Sequence, residues 1–404
     1  MATAPLTQPD TRAPLRRIPF QTWAAVLVFC LVWVAFGSLI VPGARQHDFL
    51  SFYTGASFAL DGNFAQLYST PVQLDRERQF VPALPALAPF IRPPFFAAVL
   101  APFALLPLGV AFWIWLALQT ALLFGCWAWA LSRWGPDALI FGALYLPAAL
   151  GIASGQDCVV LLAILIATYT LAEKERHFSS GVALGLGLIK FHLFLLWPLA
   201  LLIQKRWRMA AGACAAVAVE ALVSLWLAGW SGIAGYFQLL LRKDIERLSP
   251  SPELMLNVRG LALNLHMDHP LFRWLLVAVV IVLVAMACWR APLWQWIAAA
   301  SVGSLLVAPH VYGYDAGMLL LSIWLAIFMS ANKWTRIAAT IICTPIPFLM
   351  NLAGTPWASA TPMALLLFLV SLNLKSSSGN ASSKRSVPDV RREIPRLVES
   401  HPLV

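Results

Sequence analysis

The stretch FSSGVALGLGLIKFHLFLLWPLALLIQ, residues 178–204, decides the fold. Between Ser180 and Gln204 its only polar side chains are Lys190 and His192, and the charged runs EKERH (173–177) and QKRWR (204–208) flank it. Basic residues on both flanks place both ends on one side of a membrane. A full span needs roughly 20 apolar residues, so this stretch is too short to cross and return. It is therefore expected to form a pair of short helices turning near Lys190-Phe191-His192. Irregular backbone at that depth persists only when buried in protein or lining a wet cavity.

The rest of the chain fits a polytopic helical membrane protein. Of its 404 residues 60% are hydrophobic and 11% charged, with 18 Trp. A water-soluble domain does not carry that much apolar surface. The net charge of +10 requires no nucleic-acid partner. It reflects Lys and Arg gathered in loops, where they set topology. The six cysteines are isolated within or beside apolar segments, with neither metal-ligand spacing nor a disulfide framework. Spans are expected near 23–41, 109–131, 137–154, 158–172, 209–230, 271–289, 293–309, 315–331, 336–352 and 358–374, in addition to the short pair.

The short loops with Arg133, Lys174, Arg176, Lys205, Arg206, Arg208, Arg290, Lys333 and Arg336 read as cytoplasmic. The turns near 155–157, 310–314 and 353–357 hold no Lys or Arg and read as outer. Both termini then face the cytoplasm. The domain organisation is an N-terminal tail (1–22), a membrane domain (23–374) with structured outer loops at 43–93 and 231–270, and a Ser-rich, basic, disordered tail (375–404). VPGARQH after the first span is a poor cleavage site, which argues against a removable signal peptide.

Polar residues at the outer ends of the spans are the functional candidates. Asp48 opens HDFLSFYTGASFALDG, where Phe49, Phe52, Tyr53, Ala56 and Leu60 form an apolar stripe that Gly62 can stop. Asp48 suits a helix N-terminus as a cap and equally suits a catalytic carboxylate at the water boundary. Lys190 lies too deep to snorkel easily, and a buried cation demands an anion, for which a lipid headgroup is one candidate. His310, Tyr314 and Asp315 in APHVYGYD, and Gln156 and Asp157 in SGQDC, mark outer turns. Arg92 precedes Pro93-Pro94 and could face a phosphate or the interface. A polar turn between helices accounts equally well for several of these. No Walker loop, dinucleotide fingerprint or zincin motif is present, so an activated substrate would arrive through the membrane.

Read in order, Asp48-Phe49…Tyr53…Gly55…Gly62…Leu67-Tyr68, Arg92-Pro93-Pro94, Ser154-Gly155-Gln156, Gly181…Gly185…Lys190 and Lys205-Arg206-Trp207-Arg208 resemble glycosyltransferase family 87. The resemblance implies an all-α C-type bundle that transfers a hexose, by default mannose. The donor would be a polyprenyl-phosphate sugar and the acceptor a lipid-linked or cell-envelope glycan at the outer face of the cytoplasmic membrane. It implies Asp48 as catalytic base and Lys190 on the donor phosphate, with His310 as the local match for a further phosphate contact; Arg92, from the residues themselves, is a third candidate for that phosphate. Tyr53, Gln156, Asp157, His192, Tyr314 and Asp315 are possible substrate contacts. No cofactor or metal is implied. The chain departs from the family pattern at Arg92, where an aromatic usually precedes the prolines, and at Asp157, where Asn is common. A transporter or flippase for a lipid-linked or anionic substrate is the alternative, because a buried lysine in a broken helix pair would suit it too.

Overall fold

The computed structural model describes residues 18–46, 48–241 and 251–352, together with 363–364, 366–367 and 369–370. Residues 1–17 of the expected N-terminal tail, the whole C-terminal tail and most of the expected span 358–374 lie outside them. The described residues are helical, with no strand among them. In chain order the helices are α1 (Phe20–Gln46), α2 (Asp48–Leu60), α3 (Thr70–Phe80), α4 (Pro94–Leu100), α5 (Leu108–Trp134), α6 (Asp137–Leu144), α7 (Leu146–Ala153), α8 (Cys158–Glu173) and α9 (His177–Gly185). They continue with α10 (Trp197–Ile203), α11 (Trp207–Leu241), α12 (Val258–Asn264), α13 (Pro270–Cys288), α14 (Leu293–Val307), α15 (Leu320–Met329), α16 (Lys333–Cys343) and α17 (Ile346–Leu352).

Four helices are long and apolar enough to cross a membrane: α1 over Phe20–Val41, α5, α11 and α13. The bent pair His177–Phe194 and Trp197–Ile203 can count as a fifth, folded back at 114°. This falls short of ten full spans, and proline accounts for much of the difference. The segment 137–154 divides at Tyr145, because Pro147 lacks the N–H that would bond the Ala143 carbonyl and its ring would clash with that carbonyl, so it sits in the first turn of a new helix instead. Pro345 likewise separates α16 from α17, with Thr344 extended at ψ 161°. The segment 315–331 begins as a 3-10 turn, Gly313–Leu319, before α15. α8 and α14 match expected spans but have only 16 and 15 residues. α14 and α15 are buried along almost their whole length, so they form the centre of the bundle with the longer helices outside.

Glycine decides two features that shape the site. A Cβ on Gly181 or Gly185 of α9 would collide with the backbone of α11, so these two helices touch main chain to main chain. That contact anchors the first arm of the bent pair. At Gly229 the backbone adopts φ +61°, which lets α11 kink and run on to Leu241. The second outer segment, expected from 231, therefore begins as a continuation of this helix. The first outer segment matches expectation more closely: α2 starts at Asp48 and ends just before Gly62, whose φ is +68°.

Candidate active site

Four pieces of chain converge at one end of the bundle, the end expected from the sequence to be the outer one. The break in the bent pair supplies Lys190, whose φ −140° and ψ 55° depart from any helix. The turn between α7 and α8 supplies Gln156 and Asp157, and the 3-10 turn before α15 supplies Asp315. The fourth piece is the proline-rich strap 81–93, which ends in Arg92.

Lys190, 3% exposed, donates from Nζ to Asp157 Oδ1 at 3.1 Å and to Asp315 Oδ1 at 2.5 Å. Arg92 donates from Nε to Asp157 Oδ2 at 3.1 Å and from a terminal nitrogen to Oδ1 at 3.3 Å. Asp315 also accepts from the Tyr312 N–H at 2.9 Å. The two carboxylates are fully buried and Arg92 is 5% exposed. Burial alone would raise Asp157, yet the Arg92 and Lys190 cations beside it hold it well below the usual carboxylate range. Two cations against two carboxylates make this a neutral, self-satisfied network. The anion required by Lys190 is thus supplied by the chain itself.

The strap is fixed from below. Gln73 on α3 accepts from the Phe90 N–H at 2.8 Å and donates to the Leu67 carbonyl at 2.6 Å. Glu77, one turn later and fully buried, accepts from the Ala88 N–H at 3.0 Å. Ser51 donates to the Pro89 carbonyl at 3.1 Å, and the Tyr68 hydroxyl donates to the Arg92 carbonyl at 2.7 Å. The Arg92 guanidinium lies 5.4 Å from the centre of the Phe52 ring. Prolines leave a segment few backbone donors, and those at Ala88 and Phe90 meet α3 side chains.

Asp48 stands at the edge of the network in the first turn of α2. Burial raises it to about 6; Lys190, a hydrogen bond from Gln156 and Arg92 work against that rise, while Asp315 adds to it. It is therefore a carboxylate of enhanced basicity that is still ionised at neutral pH. His310 is lowered to about 4, first by burial and then by the Lys190, Arg92 and Arg259 cations, with Asp315 opposing. It is neutral at pH 7 and can donate one N–H, and its ring packs edge-on to Tyr312 at 4.9 Å.

The remaining candidates divide. Tyr314 lies beneath Lys190, with Nζ 5.7 Å from its ring centre. His192 is buried in the field of Lys190, Arg92 and His310, and its Nε2 has no hydrogen-bond partner. Tyr53 is not part of the cluster: its hydroxyl donates to the Leu106 carbonyl at 2.8 Å and its ring packs on Phe80. Sequence reasoning missed Arg259 and Tyr312, which face His310, and the strap-holding residues Gln73, Glu77 and Tyr68. Arg259 lies in α12, within an outer segment with no motif to single it out.

The model of glycosyltransferase family 87 matches residues 90–322, from the strap to α15 and across Arg92, Asp157, Lys190 and Asp315. The chain belongs to glycosyltransferase family 87. Family membership makes it a glycosyltransferase, and the apolar helices make it a multi-pass membrane protein. No curated protein and no solved structure gives a significant match. Asp48 precedes the matched range, so its place beside the cluster is a separate observation. The transporter alternative has no further support against this membership. The two departures from the family pattern also turn out to be neighbours, because Arg92 and Asp157 bond to each other.

Proposed function

We propose that this family 87 enzyme moves a hexose, mannose by family default, from a polyprenyl-phosphate sugar to a lipid-linked or cell-envelope glycan acceptor. The proposed setting is the outer face of the cytoplasmic membrane, within a C-type bundle in which the shorter helices also contribute to crossing the bilayer. The observation that carries the reading is Asp48: a partly buried carboxylate of raised basicity beside a neutral ion network, at the outer end of the first long helix.

In this reading Asp48 accepts the proton of the acceptor hydroxyl as its oxygen attacks the anomeric carbon. The bond from that carbon to the phosphate oxygen breaks, and polyprenyl phosphate leaves with the electron pair. One base and a good leaving group suit a single displacement with inversion. His310, neutral, donates a hydrogen bond to the phosphate. Lys190 and Arg92, already bonded to carboxylates, stabilise the leaving charge through their field and with the N–H groups that remain available. Gln156 orients Asp48, and Tyr314 and His192 line the floor.

Membranes containing the protein, given labelled polyprenyl-phosphate mannose and a membrane glycolipid fraction, are expected to form labelled glycolipid without nucleotide sugar. Product that appears only when a nucleotide sugar is added would overturn the donor assignment.

A further inference from the structure

A second polar feature lies at the other end of the bundle. α5 runs from the site region to Trp134, about 40 Å away at 1.5 Å per residue. Beyond it, α6, α15 and α16 enclose an open cavity of about 530 Å³. Phe141, Phe328 and Ile337 give it apolar walls, and Lys333, Arg336 and Asp137 stand in its lining. Phe328 is held in place by stacking on Trp134 at 5.3 Å.

α16 accounts for the shape. Thr335, Ala338, Ala339 and Ile342 are buried against the bundle, whereas Lys333, Trp334, Arg336, Ile337 and Ile341 are exposed. Lys333 and Arg336 are three residues apart, so both project from one side of the first turn. Neither forms an ion pair with Asp137 or with any other carboxylate among the described residues. The wall beside them, formed by Ile140, Phe141, Ile327, Phe328 and Ile337, is apolar.

We propose that this cavity binds an anionic phospholipid, with the headgroup phosphate on Lys333 and Arg336 and an acyl chain along Phe141 and Ile337. Two cations against one carboxylate leave a single positive charge, which a net negative lipid neutralises and a zwitterionic one does not. Water-soluble anions are disfavoured because half of the lining is hydrocarbon, and basic pockets between membrane helices recognise lipid headgroups by this chemistry. Asp137 would accept from hydroxyls on the headgroup. The site is remote from Asp48, so the proposal stands independently of the donor assignment.

The test uses the full chain in phosphatidylcholine vesicles doped with a trace of photoreactive phosphatidylglycerol, its diazirine on the acyl chain. After irradiation, labelling is expected on peptides containing Phe141, Phe328 or Ile337, at about five-fold or more over the matched phosphatidylcholine probe. The double variant Lys333→Gln with Arg336→Gln should reduce labelling by about ten-fold or more while sugar transfer is retained. Thr340→Phe, which fills the cavity but keeps both cations, should reduce it as well. Equal labelling by the two lipids, displacement by inorganic phosphate alone, or full labelling of Thr340→Phe would each overturn the proposal. The last result would reduce the feature to general attraction at the membrane surface.

Discussion

Lys190 and Lys333 are both lysines at helix breaks in one membrane protein, and they are treated in opposite ways. Lys190 is buried, and two carboxylates from distant parts of the sequence meet its ammonium. Lys333 is exposed and lies over the ring of its neighbour Trp334 at 5.2 Å. The difference follows from solvation. A charge that keeps its water needs no partner, whereas a charge enclosed by protein is tolerable only when the chain supplies compensation. Lys333 is thus available to ligands from outside, while Lys190 and Arg92 chiefly hold the site together.

The largest expected effect tests that contrast directly. From sequence, replacing Lys190 by Met should ease folding, because a costly intramembrane charge disappears. The structure reverses this, since the change would leave Asp157 short of one cation and Asp315 without any. Lys190→Met is expected to cost about 3–5 kcal/mol, read as a lower midpoint of thermal unfolding in detergent. Lys333→Met should lie within about 0.5 kcal/mol of wild type by the same measurement. Similar losses from both would remove the distinction between the two ends. Next in size is Asp48→Asn, which keeps the size and some capping ability but removes the proton acceptor. Transfer should fall by about 10²-fold or more with unfolding unchanged. Near-normal turnover would reduce Asp48 to a helix cap.

A third test asks whether the two departures from the family pattern are one change. Arg92→Phe leaves Asp157 with Lys190 only, and Asp157→Asn leaves Arg92 without its carboxylate. Combining them removes both charges of one pair. The double variant is expected to lose less stability than the sum of the singles, by about 1–3 kcal/mol. Strict additivity would mean that the 3.1 Å contact between them carries no coupling.

The sequence made parts of this region legible and others not. Lys190 stood out because a charge in an apolar run has few bland explanations, and the turn at 190–192 followed from the spacing of the basic flanks. Gly62 and Asp48 marked the ends of α2 through local backbone chemistry alone. Of the ten apolar segments, four appear as helices of spanning length among the described residues, because hydropathy does not register how Pro147 and Pro345 divide a helix. The partners of Lys190 were also out of reach. Asp157 and Asp315 each read as an ordinary turn residue, and only the packing of α8 and α15 around the bent pair brings them together. Gln73 and Glu77 carried no signal either, since two polar residues one turn apart on a mostly polar helix usually face water.

Glu77 supplies the last and smallest prediction, which tests whether burial without a cation behaves differently from burial with one. Asp157 is held low by cations, but Glu77 has only the Ala88 N–H, and its Oε1 is buried with no partner. Burial therefore raises Glu77 from its ordinary 4.5 to about 7, the Ala88 hydrogen bond opposing. Below 4.5 the carboxyl is protonated in folded and unfolded chains alike, so pH has no leverage there. Between 4.5 and about 7 the unfolded chain releases its proton first, so the strap becomes less stable as pH rises, and the loss levels off above about 7. Glu77→Gln cannot ionise and should lack that slope. Hydrogen exchange at the Ala88 and Phe90 amides should be similar in variant and wild type near about pH 5, and a few-fold slower in the variant near about pH 8. The largest difference at acid pH would mean that Glu77 is ionised in the folded state, stabilised by a partner on the outer surface, and that the strap is held by a charge in the same way as Arg92 at its end.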